Sequence, residues 1–305
     1  MRRAAFIPSL GAIALLVLAC TSTGASVSSV PPAPSPTTPV GSGGSPGPSA
    51  ADSLILRVVS QGGLLAPGAM RVQLPLLSVY ADGRIMSAGA VPAIYPGPLM
   101  ATVVYRSVGA DGAAAILKAA SDAGLAGSDA TYPGGPGADM PSTVITVIHP
   151  GGRTVTTFGF LGSPASLPLP GDSAGQVAAA ASALLGRLQS GDTFGGTVGT
   201  EGTYQPLGYQ VFAAPGAPGE PSASDSSLAR PPVDWPLGTP LAAFGKVDPL
   251  GGDGARVGLV TGADAAILGP VLANASQLTG FRSGGQVWTV AVRPLLPDEV
   301  AAVGG

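Results

Sequence analysis

The sequence predicts an α+β fold, antiparallel β-hairpins packed with a few helices. Two glycine turns, Asp82-Gly83 and Pro150-Gly151-Gly152, each separate β-rich runs. Ala-rich segments with apolar residues at helical spacing supply the helices.

The elements follow in order. Residues 54–59 read as a strand, and residues 74–80 and 84–87 form a hairpin around Asp82-Gly83, because Asp-Gly suits a turn needing positive φ. Residues 101–108 are a further β-rich run. Asp111 is expected to cap a helix to about Ala123, with Gly124 as its stop. Residues 143–149 and 153–160 are β-branched and flank the second glycine turn. Asp172 or Ser173 is expected to cap a helix to about Leu188, with Val177, Leu184, Leu185 and Leu188 near one face. In the C-terminal part, residues 256–260 read as a strand. Residues 264–275 read as a helix with Ile267, Leu268, Val271, Leu272 and Ala275 on one face. Pro270 lies inside that helix and is expected to kink it or delay its start. Residues 286–292 read as a strand with Trp288, Val290 and Val292 on one side. An echo, Val108-Gly109-Ala110-Asp111 and Thr261-Gly262-Ala263-Asp264, is compatible with two related small units or with chance in an Ala- and Gly-rich chain.

Residues 21–50 contain only Thr, Ser, Gly, Ala, Val and Pro, too little apolar area to offset ordering entropy. They are expected to act as a linker spanning about 30 Å as a coil or about 90 Å extended. A second low-complexity stretch covers residues 213–232. A boundary is expected at residues 191–202, where Gly195-Gly196-Thr197-Val198-Gly199 reads as too flexible for a core element. The expected organisation is therefore residues 1–19, 20–50, a first α+β domain over 51–190, and a second unit over 203–300 with its insertion at 213–232.

The first twenty residues form a pattern of their own. Arg2-Arg3 precedes a mostly apolar run over residues 4–19, closed by Leu16-Val17-Leu18-Ala19 and then Cys20, the single cysteine of the chain. This is the layout of an export signal: a positive start, an apolar middle, a small residue at the cut. With cysteine after the cut, it resembles the lipobox of bacterial lipoproteins, and the resemblance implies diacylglyceryl attachment at Cys20 and residues 1–19 as a removed signal peptide. A membrane-spanning helix needs about 20 apolar residues; residues 4–19 are fewer and include Pro8. An ordinary secretory signal with an incidental cysteine is the other alternative. The expected location is the extracytoplasmic face of the cell membrane, held to the bilayer through acylated Cys20.

Charge excludes one class of partner. Without Arg2 and Arg3, twelve basic and seventeen acidic side chains leave a net charge of −5. No basic cluster remains, so nucleic acid is not an expected partner. Charged residues are only 10% of the chain against Gly 47 and Pro 32, which points to a biased base composition rather than to a membrane core.

Catalytic patterns are weak. Gly171-Asp172-Ser173-Ala174-Gly175 has the form G-x-S-x-G, which in hydrolases exposes a nucleophilic serine. Serine needs a base, and the one histidine, His149, precedes it. The subtilisin order is met only nominally by Asp139, His149 and Ser173, and Pro168-Leu169-Pro170 is no buried strand. A helix-capping role for Asp172 or Ser173 is the simpler reading, as is a solvent-facing hairpin position for His149. No calcium loop, phosphate loop or S-x-x-K string occurs. Asp129 and Asp139 bracket a Gly/Pro loop, and solvated charges are the expected reading of both. Glu201, Glu220 and Glu299 offer no specific carboxylate pair. Trp235 and Trp288 suit a sugar or peptide platform or, for a strand residue such as Trp288, the core. No catalytic residue, metal or cofactor is expected.

Residues 74–188 resemble a group of uncharacterised bacterial envelope proteins. The resemblance rests on Leu77-Ser78-Val79-Tyr80-Ala81-Asp82-Gly83-Arg84, the helix closing at Gly124-Leu125, and Asp139-Met140-Pro141-Ser142-Thr143-Val144. It implies a small α+β module and brings no activity. The expected function is a non-catalytic envelope binding or interaction module, whose partner is an envelope protein or small ligand. The alternatives are a hydrolase using Ser173 and a structural wall-associated protein.

Overall fold

Alternating burial along the first strand, β1 (Leu54–Gln61), sets the frame: Leu56 and Val58 are fully buried on one face, while Arg57 points to the other. A computed structural model describes residues 52–65, 67–133, 139–159, 161, 172–219 and 230–304. The expected signal, Cys20 and the linker lie outside these residues, as do most of residues 159–171 and residues 220–229.

The fold is α+β, as the hairpin and helix patterns predict. The first sheet follows β1 with helix α1 (Pro67–Val72), the hairpin β2 (Leu77–Tyr80) and β3 (Arg84–Ala88), and β4 (Val103–Ser107). Helix α2 (Gly109–Asp122), β5 (Ala130–Tyr132), the hairpin β6 (Ser142–His149) and β7 (Gly152–Phe158), helix α3 (Ser173–Gln189) and β8 (Glu201–Thr203) complete it. Strand order is β5-β7-β6-β1-β2-β3-β4-β8, antiparallel except for β5 beside β7. The second sheet contains β9 (Gly208–Pro215), β10 (Val233–Asp234), β11 (Lys246–Val247), β12 (Arg256–Thr261), β13 (Gly280–Ser283) and β14 (Gln286–Pro294), with α4 (Gly262–Ala273) and a final helix α5 (Pro297–Gly304). Its order is β10-β13-β14-β9-β12-β11, with β10 parallel to β13.

One face of the first sheet packs under α2 and α3, where Leu56, Val58, Val79, Ile116, Ile145, Phe158 and Leu188 form the main core. A second core gathers Val211, Phe281, Trp288, Val290 and Leu268 under α4. The sheet β1–β4 uses its other face for a smaller cluster of Leu74, Tyr80, Met86, Val103 and Leu296. Burying one medium or large apolar side chain contributes about 1.5–3 kcal/mol, so these layers dominate stability.

Several expectations need correction. Asp111 is not the cap of α2: the helix starts at Gly109 after Val108, and Asp111 falls in its first turn, where negative charge suits the helix dipole. Asp172 does occupy the N-cap position of α3, but its side chain makes no capping bond. In α4 the buried residues are Ala265, Leu268 and Leu272, whereas Ile267 is 52% exposed. A Cβ at Gly269 would meet the Tyr209 hydroxyl, so this glycine lies on the face of α4 turned towards β9, with Leu268 and Leu272, while Ile267 lies off that face. Pro270 lies within α4 rather than at its start; the carbonyl it leaves unbonded is that of Ala266, on the exposed side, where water can reach it.

The expected boundary at residues 191–202 also moves. Here the backbone is bound to the first sheet: Gly199 N–H donates to Ser107 O, Ser107 N–H to Thr200 O, and β8 pairs with β4. A Cβ at Gly196 would collide with the Val108 carbonyl and the Gly112 backbone, so this glycine marks a close approach rather than slack chain. Likewise, residues 213–215 of the expected low-complexity stretch belong to β9, with Ala213 buried. The described residues group into one compact unit. Arg71 of α1 pairs with buried Asp248 at 2.7 Å and lies over the Phe212 ring. The β3–β4 connection bridges Pro98 to Ser276, and Leu99 and Met100 pack on the second core.

The echo at residues 108–111 and 261–264 places α2 and α4 alike, each directly after a strand and opening on a glycine of positive φ (Gly109 +68°, Gly262 +59°). The hairpins that follow join differently. The first strand, β6, adds beside β1, whereas the second strand, β14, adds beside β9.

Among the described residues, the Thr156 hydroxyl on the helix-covered face of β7 has no hydrogen-bond partner, and Thr156 is 1% exposed. Thr156→Val is expected to raise stability by about 1 kcal/mol, read from the urea midpoint, because an unsatisfied hydroxyl is exchanged for a methyl of the same shape.

Candidate functional site

The residues singled out for chemistry fall apart in space or into structural roles. His149 ends β6, and its ring is held within its own turn: Nδ1 accepts from Gly151 N–H at 3.2 Å, and Nε2 lies 3.0 Å from Thr154 Oγ1. Ser173 is the exposed first residue of α3, and Gly171 lies outside the described residues. Asp129 accepts from Val155 N–H at 2.7 Å and so fastens the start of β5 to β7. Asp139 is exposed with φ of 74°. Among the described residues, no three His, Cys, Asp or Glu side chains gather as metal ligands would. With no side-chain cap to lose, Ser173→Ala is expected to shift the urea midpoint by no more than about 0.5 kcal/mol equivalent and to leave any ester hydrolysis at background.

The tryptophans are core residues. Trp235 packs edge-on against Phe244 and Phe281 and donates to Thr239 O at 3.0 Å; Trp288 is 3% exposed. Neither ring offers a platform.

A concave surface of about 580 Å³ lies between Pro231 and Val233 on one side and Val271 and Asn274 of the α4 end on the other; two more lie around β4 and β8. On the helix-covered face, a groove of about 480 Å³ with an apolar floor and a polar rim of Arg106, Gln189 and Glu201 runs between Leu77, Ile85 and Val104 of the sheet and Leu188 at the end of α3. Arg106 closes one side by donating to Leu188 O at 2.8 Å and Asp192 O at 3.1 Å, which satisfies the carbonyls at the helix end. On the opposite face lies a polar cleft of about 430 Å³, lined by Arg84, Tyr105, Ser107, Thr200, Tyr204 and Gln205. Both volumes fall in the roughly 300–1,000 Å³ range of small-molecule sites.

Strand register builds this cleft. Arg84 pairs with Ser107, and Met86, Tyr105 and Gly202 stand in one row across β3, β4 and β8. The phenol end of Tyr105 lies over Gly202, in the space a side chain there would fill. Two residues beyond Gly202, Tyr204 follows on the same face and packs against the small cluster that contains Met86 and Val103. The Arg84 guanidinium bridges Asp82 and Asp52 and lies 5.4 Å from the Tyr80 ring centre, so the cleft's cation is already neutralised.

Burial pushes the Tyr204 phenol up to about 12. Burial also raises Tyr80, whose hydroxyl donates to Asp298 at 2.7 Å and is held protonated by that carboxylate. Tyrosines of the unfolded chain ionise near pH 10, and these two ionise higher in the folded chain. Their contribution is therefore complete below pH 10, and stability falls as pH rises from about 10 towards 12. Tyr204→Phe is expected to flatten that alkaline decline in urea titrations.

None of Tyr105, Tyr204 or Gln205 stood out in the sequence. The available signal was the Thr200-Glu201-Gly202-Thr203-Tyr204-Gln205 alternation, which lies at the end of a glycine-rich stretch and reads as slack. No family model, curated protein or solved structure matches the chain.

Proposed function

We propose that the chain is an extracytoplasmic lipoprotein, anchored through acylated Cys20, whose folded part is a non-catalytic binding module. The observation that carries this reading is the continuous pattern of Arg2-Arg3, an apolar run, Ala19-Cys20 and a charge-free linker. Two acyl chains anchor a protein stably where one is marginal, each buried methylene adding about 0.8 kcal/mol. The lone cysteine has no intrachain disulfide partner, so lipidation gives its thiol a chemical use. A binding role is supported by concave surfaces lined by side chains from adjacent strands, while His149 is held within its own turn and Ser173 is the exposed first residue of α3.

Intact mass of the protein extracted from membranes tests the anchor. The expected product begins at Cys20 with a diacylglyceryl adduct, and Cys20→Ser moves the protein from the detergent phase to the aqueous phase. A bare thiol, or Met1 retained ahead of it, overturns the placement.

A further inference from the structure

The cleft on the open face of β3, β4 and β8 has a composition that selects a ligand class. Besides the paired Arg84 and Asp82 and the Met86 side chain, its groups are hydroxyls and an amide from Ser107, Thr200, Thr203, Tyr105 and Gln205, with the Tyr204 hydroxyl buried at its wall. Thr200, Thr203 and Gln205 are exposed, and Tyr105 is half-buried. The Tyr204 hydroxyl sits beside the Leu207 backbone and reaches no acceptor at hydrogen-bonding geometry among the described residues. The one cation at the cleft, Arg84, already bridges Asp82 and Asp52. A phosphate or carboxylate entering here would meet a guanidinium whose charge is offset by two acids, and would be repelled by both.

A ligand suited to these walls carries many hydroxyls, no net charge and an apolar ring face. The hydroxyls can exchange hydrogen bonds with serine, threonine and glutamine, which act as both donors and acceptors. The aromatic side chains supply apolar contact area with a polar tip. We infer that the cleft binds a neutral saccharide, with Tyr105 as its platform and Gln205 and Thr200 as its hydrogen-bonding rim. Gly202 is part of the design: without a side chain there, the Tyr105 phenol extends over the edge strand. This inference rests on the reading of the folded part as a binding module and names the chemistry of its ligand.

The test is isothermal titration of the full chain, extracted from membranes in a detergent without a sugar headgroup. The probes are chitotetraose, cellotetraose, maltotetraose and mannotetraose, with inorganic phosphate as the charged comparison. At least one saccharide is expected to bind saturably and phosphate not at all. Tyr105→Ala is expected to weaken binding by about tenfold or more, as truncating an aromatic anchor does. Gln205→Ala, at an exposed position where folding is not at stake, is expected to weaken it about threefold to tenfold, the range for one lost hydrogen bond. Tyr105→Phe keeps the ring and is expected to bind within about threefold of the parent. Absence of heat with all four saccharides, equal affinity in Tyr105→Ala and Gln205→Ala, or saturable phosphate binding that Gln205→Ala weakens would each overturn the inference. A lipidated protein that binds no saccharide overturns this inference alone. Saccharide binding by protein with a bare Cys20 supports it while overturning the anchor.

Discussion

Arg57→Ala is expected to destabilise the protein by about 2–3 kcal/mol, measured as a lowered urea midpoint with unchanged slope. Arg57 sits on the central strand β1 and donates from Nε to Ser78 at 3.1 Å and from Nη2 to Asp298 at 2.8 Å, with Glu299 3.7 Å from Nη1. Asp298 also accepts the Tyr80 hydroxyl, and Glu299 takes two bonds from Arg293 at 3.0 Å and the Leu296 N–H at 2.9 Å. The substitution strips the cation from a carboxylate that Tyr80 holds in place. A fully buried pair broken in this way costs about 3–5 kcal/mol. The side chains of Arg57 and Asp298 are 16% and 21% exposed, so water recovers part of that loss. A double-mutant cycle with Asp298→Ala is expected to show coupling of at least about 1 kcal/mol. Additive effects would mean that the Arg57–Asp298 pair contributes nothing to holding α5, leaving it to the Arg293–Glu299 pair and apolar contacts beside Leu296.

Gly83→Ala is expected to cost about 3 kcal/mol, from two sources that a second glycine separates. Gly83 has φ of +87°, and a Cβ on it would press into the Gly109 backbone at the entrance to α2. The contact is fixed from both sides, because Gly83 N–H donates to Tyr80 O and Val108 N–H donates to Gly83 O. Gly109 has φ of +68° but open space around it. Gly109→Ala therefore carries the backbone strain alone, about 1–2 kcal/mol. Equal losses for the two variants, by thermal or urea unfolding, would show that the close approach contributes nothing.

These two sites show what the sequence could and could not disclose. Asp82-Gly83 announces its turn, because positive φ is a local demand that glycine answers. That the same glycine must let the start of α2 pass is a tertiary fact with no local mark. The Gly284-Gly285 pair, with φ of +61° and +78°, joins β13 to β14, and its dipeptide signal was there to be read. Strands β1, β4, β6 and β7 were legible because β-branched residues alternate between faces. The face of α4 was not, since Ile267 and Leu268 are equally apolar and only packing against the second sheet, with Leu268 buried and Ile267 exposed, separates them. The candidate cleft was hidden for a related reason. Its groups come from β3, β4 and β8, and only the β4–β8 pairing, across 95 to 99 residues, brings Thr200 and Gln205 to the sheet that carries Arg84 and Tyr105.

The sequence separation of 241 between Arg57 and Asp298 has a consequence for synthesis. A chain delivered from its N-terminus presents β1 to solvent long before the acids that neutralise its arginine have emerged. Closure of the β1–α5 network is thus a late step governed by loop entropy rather than by local propensity. Until then the open face of β1 and β2 offers Arg57, Ser78 and Tyr80 to whatever escorts the nascent chain.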